Sequence, residues 1–366
     1  MDERVRTVSA ARKLLSRPEF GALAGAVLIF MLFALAAGDS GMFSMEGVNN
    51  WGTVAAYLGI LAVGAALLMI AGEFDLSVGS MVGFVGMMLA IPCLYWGWPV
   101  WLAVLFSFVV ALSLGGLNGW LVVKTGLPSF IVTLAFFFIL RGMALALSVL
   151  LTGKTIISSN GNLVLQDLMS NDVIFSTLFQ GHAFKGVYNQ LAAWGWMAAR
   201  DDGAALAIGL PKAIIWWLLL TLIGAFTLAK TKLGNWIFAV GGDAVAAKNV
   251  GIPVAKVKVF LFMVMAFCAA LFAVLQVSDA GSAAADRGLQ KEFEAIIAAV
   301  IGGCLLTGGY GSVLGAAIGA MIFGMVQIGI GYTSIDNNWY RVFLGGMLLA
   351  AVLFNNYIRK KVAQSK

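Results

Sequence analysis

Residues 100–123 read VWLAVLFSFVVALSLGGLNGWLVV, 24 positions without a charged side chain. At about 1.5 Å per residue such a run crosses the ~30 Å hydrocarbon layer of a bilayer as one α-helix. Asn118 is its one amide side chain. Working outward, comparable apolar runs lie near 21–37, 51–71, 76–92, 128–151, 212–230, 256–277, 293–305, 313–331 and 340–356. The pattern predicts an all-α, polytopic membrane helical bundle of about ten transmembrane spans. The runs at 76–92 and 293–305 are short, which predicts broken or tilted elements there. Composition agrees: 61% of residues are hydrophobic and 11% charged, against about 25% charged in a soluble domain.

Charge placement sets an expected orientation. Residues 1–20 form a basic tail with Arg4, Arg6, Arg12, Lys13 and Arg17. The run after it is read as an uncleaved span, because the basic region is long for a signal peptide and many spans follow. With both termini cytoplasmic, 15 of the 23 Lys and Arg fall on inner segments, as the positive-inside rule requires. They include Lys124, five lysines in the 230–258 stretch, and Arg359, Lys360, Lys361 and Lys366 at the C-terminus. Seven, including Lys154, Lys185, Arg287 and Lys291, fall outside or at outer span ends, and Arg141 lies within a span. This orientation holds for an even number of spans. The expected organisation is a cytoplasmic tail, 1–20, and a single transmembrane domain, 21–366. That domain has an outer insert at 152–211 and a cytoplasmic loop at 231–256. The insert carries Phe184, Tyr188, Trp194 and Trp196. It fits a docking surface for an extracytoplasmic protein and equally a lid with interfacial tryptophans.

Several chemistries are excluded. The net charge of +6 is spread over span ends and forms no nucleic-acid patch. Cys93, Cys268 and Cys304 sit in or beside apolar runs without ligand spacing, so they read as packing residues. One histidine, His182, leaves no basis for a histidine metal centre or histidine catalysis. Gly153-Lys154-Thr155 resembles the end of a phosphate-binding loop, but the pattern needs a glycine where Ser148 stands. No catalytic residue and no metal site is expected, and the chain by itself does not hydrolyse ATP.

The loop KTKLGNWIFAVGGDAVAAKNVGIPVAKVK, residues 230–258, holds a short helix with marked ends. Asp243 caps its start, Ala244, Ala246 and Ala247 favour helix, and Lys248 suits the last turn. Gly251 and Pro253 stop it. The helix reads as a connector or as an element presented to a partner. In AGEFDLSVGSMVGF, residues 71–84, Glu73 and Asp75 lie between two apolar runs. Ionisable groups at membrane depth mark transport elements, and Asp75 or Ser77 serves equally as a helix cap. Asn118, Thr133, Phe136 and Gln276 join Glu73 and Asp75 as candidates for a translocation path or gate. Gly311, Gly315 and Gly319 form a small-residue stripe for close helix approach, within the chain or to a second copy.

Four separated segments, AGEFDLSVGS, LNGWLVVKTGLPSFIVTLAFFFILRGMAL, AVGGDAVAAKNVGIPVAKVK and IIAAVIGGCLLTGGYGSVLGAAIGAMIFG, together resemble the permease subunits of bacterial ATP-binding cassette importers for simple sugars, the ribose-type group. The resemblance runs from about residue 50 to 355. It implies a permease subunit of the bacterial inner (cytoplasmic) membrane that imports a pentose, hexose or polyol by alternating access. The implied partners are a cytoplasmic ATP-binding subunit, a periplasmic sugar-binding protein and a second permease copy, identical or paralogous. ATP and Mg belong to the partner subunit, and no cofactor is implied for this chain. The family's cytoplasmic motif falls on Ala239, Gly241, Gly242, Ala246, Ala247, Gly251 and Ile252, so Asp243 to Gly251 is the implied ATPase-coupling helix. Three departures stand out: Asp243 where asparagine is commoner, Tyr310 where a basic residue is common, and the longer outer insert. The alternative is a self-contained ion-coupled secondary transporter, with Glu73 and Asp75 carrying the coupling.

Overall fold

A helix that is apolar on every side belongs in the middle of a bundle, and the second long run meets that condition. In the computed structural model, which describes residues 18–364 except 334, it forms helix α2, Met45–Ile70. Its residues from Leu58 to Ile70 are buried without interruption. Helices α3 (Val78–Tyr95), α12 (Val254–Ala280) and α14 (Val313–Gly329) complete the buried centre. Around them stand α1 (Pro18–Ala37), α4 (Val100–Thr125), α5 (Ser129–Thr152) and α9 (Lys212–Lys230). These peripheral helices turn apolar residues outward, such as Leu35 at 91% and Leu150 at 79% exposure, as lipid contact requires. Helix α15 spans Trp339–Gln364, and its side chains are described through Leu353. Among the described residues, eight helices are long and apolar enough to cross a membrane. The chain is a polytopic, all-α membrane bundle. Arg4, Arg6, Arg12, Lys13 and Arg17 of the tail, and Lys366, lie outside the described residues.

Eight of the expected runs correspond to these helices, and the run at 340–356 falls within α15. The run at 76–92, expected to be broken or tilted, instead forms the uninterrupted α3. The run at 293–305 is broken as expected: it yields α13, Lys291–Ile301, only 11 residues long, preceded by extended and turn backbone from Ser282 to Gln290. That segment lies alongside α3. A Cβ on Gly86 would sit 3.8 Å from the Ala283 Cβ, one on Gly83 would sit 2.4 Å from the Ala285 oxygen, and one on Gly79 would sit 2.4 Å from the Gly288 oxygen. Arg287, expected at an outer span end, therefore lies between the segment's contacts with Gly83 and Gly79, and Lys291 follows next to the start of α3. The reason is non-local: glycines on α3 admit an irregular backbone that the apolar pattern reads as loop.

In the insert, α6 (Leu165–Asn171), α7 (Val173–Leu178) and α8 (Lys185–Ala193) are joined by two-residue strands. Ile156–Ile157 (β1) pairs with Ala283–Ala284 (β6), and Ser159–Asn160 (β2) pairs with Leu163–Val164 (β3). His182–Ala183 (β4) pairs with Leu210–Pro211 (β5). The insert is thus stitched to both α9 and the segment before α13. Gly315 and Gly319 meet α13 of the same chain: their missing Cβ atoms would lie 1.9 Å from the Gly302 oxygen and 2.1 Å from the Ala298 oxygen. Gly311 packs on Cys304. Close backbone approach of this kind holds helices together where lipid removes the hydrophobic drive.

Candidate coupling surface and membrane-depth polar groups

At the end of the bundle opposite the insert, α10 (Lys232–Gly242) leads into α11 (Ala244–Asn249). Asp243 serves both helices. Its backbone N–H donates to the Ala239 oxygen at 3.0 Å, and its carboxylate accepts from the N–H groups of Val245 and Ala246, both at 2.9 Å. The far end of α11 closes with two hydrogen bonds, Gly251 N to the Lys248 oxygen and Ile252 N to the Ala247 oxygen, each 3.0 Å. That pairing is a Schellman stop, and it requires the left-handed backbone that Gly251 adopts at φ +87°. Ala247 is buried, while Ala246, Val245 and Val250 face outward, the two valines 70% and 77% exposed.

Behind α11 the backbone is locked to the bundle. A Cβ on Gly241 would lie 1.7 Å from the Ile70 carbonyl oxygen and 2.7 Å from the Gly309 nitrogen. The Gly309 N–H in turn donates to that same Ile70 oxygen at 2.8 Å. The end of α2, the end of α10 and the turn before α14 therefore meet backbone to backbone. Gly242, by contrast, faces open space. A second tie follows α11: Lys258, in the second turn of α12, forms an ion pair with Glu73, just past α2. Both line a cavity of about 740 Å³ with Gly126, Pro128, Val254 and Ala255.

The Glu73–Ser77 segment is irregular yet mostly buried, so its backbone needs partners. Phe74 N donates to Ser129 Oγ and Leu76 N to Thr133 Oγ1, both at 3.0 Å. Asp75 Oδ1 accepts from Ser77 N at 2.8 Å and from Ser77 Oγ at 2.6 Å. Ser77 Oγ accepts from Asn118 Nδ2 at 3.0 Å. Four of the proposed path residues, Glu73, Asp75, Asn118 and Thr133, thus converge on one segment. Phe136 is half-buried against the core, and Gln276 lies elsewhere, donating to the Arg287 oxygen at 3.3 Å.

Of a second polar group, sequence reasoning singled out Arg141 within its span and missed Glu292 and Glu294. The start of α13 meets the start of α3: a Cβ on Gly79 would fall 2.0 Å from Glu292 Oε2. Arg141, Lys291 and Glu294 all lie within electrostatic reach of Glu292, and Lys291 pairs with Glu294 at 2.5 Å. Arg141 stands 12 residues into the 24-residue α5, about 18 Å from its start and so near mid-membrane. The run Lys291-Glu292-Phe293-Glu294 was the available signal, hidden because it reads as the edge of a span. Among the described residues, no group of three His, Cys, Asp or Glu could hold a metal ion.

Comparison with known proteins matches this architecture. A family model described as "Branched-chain amino acid transport system / permease component" matches residues 47–352. The chain is 31% identical over 361 residues to the xylose transport system permease protein XylH of Escherichia coli (strain K12), covering 92% of this chain and 91% of that one. It is 29% identical to the XylH protein of Haemophilus influenzae (strain ATCC 51907 / DSM 11121 / KW20 / Rd), covering 92% and 96%. It is 27% identical to the ribose import permease protein RbsC of the same Haemophilus strain, covering 91% and 92%. No solved structure matches the chain. With a long-helix bundle, a capped helix locked to its end and a family match over most of its length, the chain belongs to the branched-chain amino acid transport system / permease component family.

Proposed function

We propose that this chain is the membrane-spanning subunit of an ATP-driven importer that moves a simple sugar from periplasm to cytoplasm by alternating access. The observation that carries this is the mechanical one. α11 is capped at both ends, exposes Val245 and Val250, and is fixed to α2 through the Gly241–Ile70 contact. A small rigid helix with an apolar face suits docking into a cytoplasmic ATP-binding subunit, and its attachments pass displacement to α2 and α12. ATP and Mg act in that subunit, and this chain binds neither. The relatives' names, xylose and ribose permeases, support a neutral monosaccharide as cargo.

In this reading the chain sits in the bacterial inner membrane with both termini cytoplasmic. It works beside a second copy, identical or paralogous. The outer insert, with Phe184 at 60% and Trp196 at 78% exposure, meets a periplasmic sugar-binding protein. ATP and the loaded binding protein shift the equilibrium between two openings only through their differential affinity for them. The test is uptake of labelled D-xylose and D-ribose by cells carrying the whole system. Uptake should stop when ATP is depleted while the ion gradient is held. Persistence under those conditions would instead establish ion coupling.

A further inference from the structure

Charged side chains at mid-membrane that are not sealed in the core need a reason, since lipid does not accept them. Arg141, Lys291 and Glu294 are each half-buried, and they gather at the start of α13 with Glu292 beneath them, 1% exposed. Among the described residues, Glu292 Oε2 has no hydrogen-bond partner, although the carboxylate is held where α3 offers only Gly79. The set presents donors from the guanidinium and ammonium groups beside acceptors from the carboxyl groups. A sugar hydroxyl both donates and accepts, so adjacent hydroxyls find complementary partners there. The site also lies where two helices begin after irregular backbone, an arrangement that transporters use at the membrane midplane.

We infer that Arg141, Lys291 and Glu294 form this chain's sugar-contacting half-site in the translocation path. The inference rests on the importer reading above and adds the contact residues to it. Glu73 and Thr133 then belong to the structure that carries the path's cytoplasmic end, because Glu73 is paired with Lys258 and Thr133 Oγ1 accepts from Leu76 N. Asp75 and Asn118 hold Ser77, and each keeps one buried oxygen without a partner among the described residues.

The experiment uses the assembled importer in proteoliposomes with internal ATP and its binding protein, supplied with radiolabelled D-xylose, D-ribose or D-galactose. Glu294→Gln and Arg141→Gln should lower uptake of the preferred sugar by roughly tenfold, and should change the ratio between sugars, because lost hydrogen bonds bear unequally on different hydroxyl patterns. The amount of assembled complex should not change. Unaltered rates and ratios in both variants would overturn the inference. So would recovery of wild-type rate and ratio by the exchange Arg141→Glu with Glu292→Arg, which would mark a structural ion pair. Loss of the permease dimer in Glu294→Gln would assign the cluster to the copy–copy interface and also overturn it. Uptake by the wild-type protein that needs an ion gradient and no ATP would instead refute the importer reading itself.

Discussion

The Cβ that Gly241 lacks would stand 1.7 Å from the carbonyl oxygen of Ile70. That contact joins the end of the most buried helix, α2, to the helix pair that carries α11. Neither backbone has a side chain that can move aside, so the two segments shift together or not at all.

Gly241→Ala should therefore be costly. The overlap is with backbone on two sides, and overpacking of this kind costs about 1–3 kcal/mol. A lower melting temperature of the purified protein in detergent is expected, together with loss of sugar-dependent ATP hydrolysis by the assembled system. Gly242→Ala, one residue on, meets nothing within 4 Å and should melt like the wild type. Equal behaviour of the two variants would show that the contact does not constrain the loop.

The caps of α11 make a separate prediction. Asp243→Ala removes two hydrogen bonds to the first turn, a loss of about 1 kcal/mol. Gly251→Val forces a branched side chain into a left-handed backbone, at about 1–2 kcal/mol, although the space around Gly251 is open. Asparagine tolerates that conformation. Coupled ATP hydrolysis should fall in Gly251→Val and largely recover in Gly251→Asn, with membrane insertion unchanged in both. Full coupling in the valine variant would count against α11 as the joint.

Glu73 and Lys258 link the segment after α2 to the start of α12, with side chains only 8% and 19% exposed. Lys258→Met strands a buried carboxylate, at about 3 kcal/mol. The double variant Glu73→Gln/Lys258→Met removes both charges and should be the more stable of the two. A double-mutant cycle on melting temperature reads the coupling directly. Additive effects would mean the pair contributes nothing.

His182 lies in the insert, where burial lowers its pKa below the ordinary value near 6.5, helped by Lys185 and Lys212 and opposed by Asp279. The folded state therefore holds fewer protons than the unfolded state in that range. Its contribution to stability is present above the unfolded pKa and is lost as pH falls through the window below it. Melting of the wild-type protein should drop between pH 7.5 and 5.5. The drop should be smaller in His182→Gln. An identical pH dependence in the variant would remove His182 as its source.

Local features were legible in the chain, and relations between distant segments were not. The apolar run at 100–123 gave its helix because length and absence of charge alone specify a spanning element. Asp243, Gly251 and Pro253 marked α11 because capping involves only neighbours in sequence. Sequence could pick out Gly241, but not that it closes on Ile70 and Gly309, because that contact depends on three segments arriving together. Likewise Lys291 and Glu292 read as the edge of a span, and only tertiary packing, with the preceding residues laid along Gly86, Gly83 and Gly79, brought Glu292 against the start of α3. Hydropathy measures what each segment prefers as solvent. Which irregular backbone is admitted among the helices is decided by where glycines on a neighbouring helix leave room.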